Sequence, residues 1–217
     1  MKKILIICDQ NIKSIGEMCF EHLYSFKKYS KHKVWYLDST KRILKRSLDF
    51  DFFDVVVIHW NILITEDYFL HRKYIETVKK FKGLKILFIQ DEYRNIKEIN
   101  KRILQLGINI IFSSLLKETQ NIVYKESIKN NIKIISTLTG YLPDRKPEKL
   151  LPISQRKTDI FYRGRDVPYI LGSLGREKRT IAEKTIYYLI QLKSKLKIDI
   201  GYKEEDRIYG TEWYQRL

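Results

Sequence analysis

Two adjacent residues in the first third of the chain combine a titratable ring with a large aromatic one. His59 and Trp60 stand at the end of the apolar run 55–59. A histidine there can act as a general base or hydrogen-bond a ligand, and a tryptophan offers a flat apolar platform for a sugar ring. The alternative is a buried histidine held by a backbone carbonyl, and the residues alone leave both interpretations open.

A denser group follows the apolar run 85–90, where Asp91, Glu92, Tyr93 and Arg94 are consecutive. Either carboxylate can serve as a general base or accept hydrogen bonds from hydroxyl groups. The alternative is that the acidic residues only stabilise the N-terminus of the next helix. We favour a functional role, because two carboxylates, a phenol and a guanidinium at one strand end are unusual for solvation alone.

Basic residues cluster in the last third of the chain. Arg163 and Arg165 follow the apolar run 159–162, and Lys178 lies beyond a glycine-bearing loop, in the first turn of a helix predicted to begin near Glu177. Guanidinium forks and a helix N-terminus both suit a diphosphate. We therefore expect these three cationic side chains to converge on one anion.

The remaining candidates are weaker. Gly16 opens the helix predicted after the first apolar run, and the amides there can bind an anion. No G-x-G-x-x-G is present, so the dinucleotide fingerprint is absent and no cofactor is expected. The D-x-D pair of Asp49 and Asp51 precedes a strand, and the histidines and cysteines lack ligand spacing. We expect no metal site, and we expect His22 to pack within an apolar helix face.

These side chains need strands that bring them to a common edge. Six short apolar runs are predicted to be these strands, at residues 4–8, 34–37, 55–59, 85–90, 108–112 and 132–135. Continuous apolar runs are typical of a parallel sheet covered on both faces. The segments between them show the helical period, with Gly83 interpreted as the end of one helix. The alternation predicts a Rossmann-like α/β domain over residues 1–142.

The chain changes character at Pro143, Pro147 and Pro152, which predict a linker over residues 143–157. Residues 158–217 contain two more apolar runs, 159–162 and 197–200, with a helical segment between them. That is one βαβ unit of a second α/β domain. We expect this domain to be truncated, because two strands and one helix leave a large apolar face uncovered.

The composition excludes several classes of protein. The 217 residues are 44% hydrophobic and 31% charged, as in a globular protein. Two cysteines exclude a disulfide scaffold, and no apolar stretch approaches the ~20 residues of a membrane span. We expect a cytoplasmic protein. The net charge of +16 favours anionic partners, and we hypothesise peripheral contact with the anionic inner face of the cell membrane.

Four segments in this order, residues 81–94, 159–165, 168–178 and 205–213, resemble bacterial GT-B-type glycosyltransferases of surface-polysaccharide biosynthesis. The resemblance spans nearly the whole chain. It implies two Rossmann-like domains across a cleft, with the acceptor on residues 1–142 and the nucleotide-sugar donor on the domain that begins at residue 158. It also implies that no metal is needed, because basic side chains and a helix N-terminus neutralise the leaving diphosphate.

The resemblance assigns roles to the candidates. It implies transfer of a sugar to a surface-polysaccharide or lipid-linked acceptor, with His59 and residues 91–94 on the acceptor side and Arg163, Arg165 and Lys178 near the donor phosphates. His59, Asp91 and Glu92 are the candidate catalytic residues, while Gly16, Trp60, Tyr93 and Arg94 are candidates for substrate binding. Much of the donor domain has no counterpart here, so we expect a fragment whose activity alone is doubtful.

The main alternative is a basic nucleic-acid-binding protein, suggested by the charge and by 13% aromatic residues. The sequence shows no helix-turn-helix, zinc-finger or ribonucleoprotein motif, and core packing explains many of its aromatics. A phosphate-responsive signalling module of flavodoxin type is disfavoured, because Asp9 stands alone and Ser113 and Ser114 occupy the place of the required lysine. We expect no nucleic-acid partner.

Overall fold

The structure, a computed structural model, describes residues 1–11, 17–40, 48–138, 151–164 and 166–206. The chain divides into two compact units, Met1–Pro143 and Asp144–Leu217. Two of the predicted binding residues, Gly16 and Arg165, lie outside the described residues.

The first unit is built on a parallel sheet of six strands in the order β2-β1-β3-β4-β5-β6. This arrangement confirms the predicted Rossmann-like α/β fold. The strands are β1 (Lys3–Cys8), β2 (Lys33–Asp38), β3 (Val55–Ile58), β4 (Leu84–Phe88), β5 (Ile110–Ser113) and β6 (Lys133–Ser136).

Helices cover the two faces of this sheet unequally. They are α1 (Glu17–Tyr29), α2 (Arg72–Lys80), α3 (Ile96–Leu106), α4 (Lys117–Val123) and α5 (Lys125–Lys129). Side chains of α2 and α3, such as Tyr74 and Ile103, join the larger buried core with β1, β3 and β4. Leu23 of α1 packs in a smaller core on the other face, with Ile6 and Val57.

The strand order fixes where a ligand can enter. From β1 the chain first moves to β2 at one side and then returns across β1 to β3, so the neighbours β1 and β3 have their connections on opposite faces. Such a topological switch point opens a crevice beyond the carboxyl ends of the strands. We call the ends of β1–β6, with the residues that follow each strand, the carboxyl edge.

The second unit contains a separate two-stranded parallel sheet of β7 (Ile160–Arg163) and β8 (Ile198–Gly201), joined through the long helix α6 (Gly172–Gln191). The sequence prediction placed the start of this helix near Glu177, which is wrong by five residues. A short turn at Tyr169–Leu171 leads directly into the helix, and Gly172 has a positive φ of 70° at the junction.

Gly83 does not end a helix as the sequence suggested, because α2 stops at Lys80. Its lack of a side chain serves close packing instead, since a Cβ atom there would lie 2.5 Å from the carbonyl oxygen of Asp54. That carbonyl accepts the first hydrogen bond of β4, from the amide of Leu84. The glycine that does end a helix is Gly107, with φ of 66° after α3.

One buried cation joins the ends of two helices. Lys85 points from β4 into the core, and its Nζ donates to the carbonyl oxygens of Val78 (3.2 Å), Lys79 (3.4 Å) and Leu106 (2.9 Å). These carbonyls belong to the last turns of α2 and α3, where a positive charge also complements both helix dipoles. Lys85 therefore ties both helices to the sheet.

We expect Lys85→Met to lower the free energy of unfolding by about 2–4 kcal/mol, because buried carbonyl groups lose a charged donor. The exposed neighbour Lys82 gives the control Lys82→Met, which is expected to change it by less than about 0.5 kcal/mol. Urea unfolding followed by circular dichroism measures both. Equal midpoints for the two variants would contradict the role given to Lys85.

Candidate functional site

At the switch point, a side-chain amide continues the pairing of β1 and β3 beyond their ends. Asn61 Oδ1 accepts from the backbone N–H of Asp9 (3.3 Å), and Asn61 Nδ2 donates to the carbonyl oxygen of Asp9 (2.9 Å). The turn that presents Asn61 is closed by a hydrogen bond from the Ile62 amide to the His59 carbonyl (3.0 Å). These contacts fix the backbone on which His59 and Trp60 stand.

His59 and Trp60 meet a third ring from the other side of the crevice. His22 of α1 lies with its Nδ1 2.8 Å from Nε2 of His59, and the indole Nε1–H of Trp60 donates to the same Nδ1 (3.1 Å). Phe26 and Phe88 stand edge-on to the His22 ring, with ring centroids 5.5 and 5.7 Å away. The three polar rings thus form one hydrogen-bonded group in an aromatic setting.

The predicted catalytic histidine does not reach the crevice. His59 is fully buried, and both of its ring nitrogens have partners: His22 at Nε2 and the backbone N–H of Asn61 at Nδ1 (3.2 Å). Burial, with the neighbouring His22 as a smaller cause, lowers the pKa of His59 to about 3. His59 is neutral at physiological pH, and its ring nitrogens are engaged by His22 and by the Asn61 amide. It therefore does not act directly on a bound molecule.

His22 and Trp60 line a small cavity at the carboxyl edge. Phe88 and Phe112 form part of its wall and stack in parallel, with centroids 4.4 Å apart. Its polar lining comes from Gln90, Ser114 and Thr137. The cavity has a volume of about 20 Å³, enough for one water molecule. A larger molecule would therefore rest against these side chains rather than enter between them.

Glu92 has a different environment from the one the sequence suggested. Its carboxylate is buried and accepts from the hydroxyl of Ser113 (2.7 Å), the amide of Ser114 (2.9 Å), the hydroxyl of Ser114 and the hydroxyl of Tyr124. Burial and the facing carboxylate raise the pKa of Tyr124, which keeps its phenol protonated as a donor. With this many donors, Glu92 fastens the loop after β4 to the loop after β5.

The other residues of the predicted acidic group are exposed. Asp91, Tyr93 and Arg94 lie on the loop after β4, directly beyond the cavity residue Gln90. Asp91 has a positive φ of 54°, a conformation that aspartate and asparagine adopt more readily than most residues. Of the two carboxylates, Asp91 is thus the one that solvent and ligands can reach.

The predicted donor-phosphate site does not form between Arg163 and Lys178. Arg163 Nη2 donates to the Asp199 carboxylate (2.5 Å), its Nη1 donates to the Asp199 carbonyl (3.0 Å), and its side chain is largely buried. Tyr162, the preceding strand residue, points to the opposite face and donates to the carbonyl of Lys178 in α6. Arg163 and Lys178 therefore lie on different faces of the small sheet, because successive strand residues alternate.

A larger groove, of about 380 Å³, lies between α2 and α3 rather than at the carboxyl edge. Its charged lining is balanced, with the acidic Asp67, Glu76 and Glu98 and the basic Arg72, Lys101 and Arg102. Such a lining gives no net attraction for an ion of either sign. The carboxyl edge is the better candidate, because aromatic rings and polar groups converge there at the switch point.

The acidic residues and histidines do not form a metal-binding group in the described part of the chain. Within the described ranges, no three or more His, Cys, Asp or Glu side chains are grouped to hold a metal ion. Asp49, of the D-x-D pair, accepts from the amide of Asp51 (2.9 Å) and caps a short turn.

No helix in the part of the chain that the structure describes has the length and apolarity to cross a membrane.

A comparison with protein-family models finds no match, and neither a curated protein nor a solved structure matches the chain. Sequence reasoning missed two residues of the site, His22 and Asn61. Asn61 follows His59 and Trp60 directly, so its position at a strand end was visible. His22 lies on an apolar helix face, and nothing in the sequence indicated that this face turns towards the end of β3.

We expect Glu92→Gln to lower the free energy of unfolding by about 1–3 kcal/mol, because the amide brings an N–H₂ donor among groups that already donate. Glu118→Gln, at an exposed position of α4, is the matched control. Guanidinium unfolding of both variants measures the difference. If Glu92→Gln unfolds at the same denaturant concentration as the unchanged protein, the network does not fasten the two loops.

Proposed function

We propose that the chain is a GT-B-type glycosyltransferase, or the acceptor-side part of one, and that the carboxyl edge of the six-stranded sheet receives a saccharide. The observation that carries this proposal is the combination of aromatic rings with polar groups beside the switch point. Trp60 and the stacked pair Phe88 and Phe112 offer apolar surfaces, and Gln90 and Ser114 line the same cavity.

A saccharide matches this lining in two ways. Its C–H faces are apolar and pack against aromatic rings, while its hydroxyl groups need both donors and acceptors, which amide and hydroxyl side chains supply. The described residues that line the cavity carry no carboxylate, ammonium or guanidinium group. This uncharged surface favours a neutral sugar over a phosphorylated one at the acceptor position.

Asp91 is an exposed carboxylate of this edge and suits proton removal. In the proposed reaction an acceptor hydroxyl gives its proton to the Asp91 carboxylate as its oxygen bonds to the anomeric carbon of the donor. The bond from that carbon to the diphosphate breaks, and the nucleoside diphosphate leaves with the electron pair. Asp91 is exposed at the end of β4, whereas Glu92 is enclosed by hydroxyl and amide donors.

The acceptor is expected to be a saccharide of a surface polysaccharide or of a lipid-linked precursor, as the sequence resemblance implies. The net charge of +16 supports the lipid-linked form, because basic residues near an anionic bilayer each contribute about 1 kcal/mol of attraction. A nucleotide sugar is the proposed donor. The second unit, with β7, β8 and α6, is the proposed beginning of the donor domain.

Replacing the aromatic platform tests binding. We expect Trp60→Ala to weaken the binding of methyl glycosides by about tenfold or more, which is about 1.4 kcal/mol, and Trp60→Phe to have a smaller effect. Calorimetric titration with a panel of neutral methyl glycosides measures this. Trp35→Phe is the control, because Trp35 packs with Phe52 and Phe53 away from the carboxyl edge. Equal affinities for Trp60→Ala and the unchanged protein would contradict the platform.

Replacing the proposed base tests the reaction. We expect Asp91→Asn to lower the transfer rate by about 10²–10⁴-fold while leaving glycoside affinity nearly unchanged, because the substitution removes only the proton acceptor. Asparagine tolerates the positive φ at this position, so the fold is expected to persist. Release of nucleoside diphosphate from UDP- and GDP-sugars measures the rate. Asp67→Asn, on another exposed loop, is the control, and an unchanged rate for Asp91→Asn would exclude Asp91 as the base.

A further inference from the structure

The indole ring of Trp60 is held by a chain of hydrogen bonds that starts at the backbone. The amide of Asn61 donates to Nδ1 of His59, Nε2 of His59 lies 2.8 Å from Nδ1 of His22, and Nε1–H of Trp60 donates to that same Nδ1. The centroid of the Trp60 ring lies 5.1 Å from that of His59 and 6.0 Å from that of His22. The centroids of the two imidazoles lie 5.0 Å apart, so both rings stand beside each other next to the indole.

The hydrogen bonds determine where each imidazole carries its proton. Nδ1 of His59 accepts from an amide, so the proton of this neutral ring is on Nε2, which donates to His22. An indole N–H can only donate, so Nδ1 of His22 accepts from both Trp60 and His59. The proton of neutral His22 must then be on Nε2. This assignment follows from the donors that surround the two rings.

We propose that His22 is a positioning residue, which as a neutral imidazole holds the indole of Trp60 in the orientation that a saccharide meets. The identity of the occupant rests on the proposed function, whereas the geometry of the three rings does not. His22 acts through Trp60: it fixes the rotation of the indole about its side-chain bonds before any ligand arrives. A platform fixed in advance loses less conformational entropy on binding.

Protonation of His22 at low pH should break the hydrogen bond that holds the indole of Trp60. A proton on Nδ1 of His22 would face the indole N–H and the His59 Nε2–H, two donors with no acceptor between them. Among the described residues, side chains that contact His22 come from Phe26 of its own helix, His59 and Trp60 after β3, and Phe88 of β4. Of these, His59 is the titratable one, and burial keeps it neutral well below physiological pH.

The direction of the pH effect follows from burial. Desolvation lowers the pKa of His22 below its usual 6.5. The folded protein therefore binds fewer protons than the unfolded chain in mildly acidic solution, and stability from this group is complete above about pH 6.5 and declines as the pH falls. Glycoside affinity is expected to decline at lower pH, where His22 of the folded protein takes up its proton, because protonation removes the acceptor for Trp60.

The test uses the full chain with Trp35→Phe and Trp213→Phe, so that Trp60 is its remaining tryptophan. Without any saccharide, Trp60 fluorescence is expected to fall from about pH 8 to about pH 5, with a midpoint below about 6.5. His22→Asn keeps an acceptor at the Nδ1 position that cannot titrate, and His22→Phe keeps a ring without an acceptor. His32→Asn, at an exposed histidine, is the control.

We expect His22→Asn to abolish the fluorescence titration and to keep methyl-glycoside affinity within about threefold at all pH values, and His22→Phe to lose about tenfold or more at neutral pH. A titration that persists in His22→Asn would overturn the proposal, and so would equal glycoside affinities for His22→Asn and His22→Phe. If the titration depends on His22 but no glycoside binds, the positioning role stands and the proposed function fails.

Discussion

The candidate site depends on the pairing between the Asn61 carboxamide and the backbone of Asp9. At the switch point β1 and β3 end together and their chains separate, so their last backbone groups need partners that no strand provides. Asn61 supplies both an acceptor and a donor to Asp9 and thereby carries the ladder one step further. The turn that results places His59 inward and Trp60 at the crevice.

The need of buried polar groups for hydrogen-bond partners also explains why several polar residues of the carboxyl edge stabilise the fold rather than bind a ligand. A buried polar group that lacks a partner costs about 1–3 kcal/mol, so each must be satisfied. Glu92 is surrounded by hydroxyl and amide donors after β5, and His59 lies between an amide and an imidazole. The residues of the carboxyl edge that are left to bind a ligand are Asp91 and Trp60, with His22 supporting Trp60.

The fold followed from the sequence more completely than the site did. Continuous apolar runs bounded by helical periods are a local pattern, and each predicted run contains or overlaps a strand of the structure. The role of Glu92 depended on Tyr124, 32 residues away, and that of His22 on the packing of α1 against the end of β3. The ion pair of Arg163 is not predictable from its neighbours in the sequence, because its partner, Asp199, lies 36 residues further along the chain. Long-range partners of this kind have no local pattern.

Saccharide binding beside Trp60 is tested most simply by the nitrogen–proton spectrum of the tryptophan indole groups during titration with a neutral methyl glycoside. Trp60 donates its indole N–H to His22 beside the proposed binding surface, whereas Trp35 packs with Phe52 and Phe53. We expect the Trp60 resonance to shift saturably with glycoside while that of Trp35 stays in place, and we expect glycerol at equal concentration to have no such effect. A Trp60 resonance that does not respond to any glycoside would contradict this expectation.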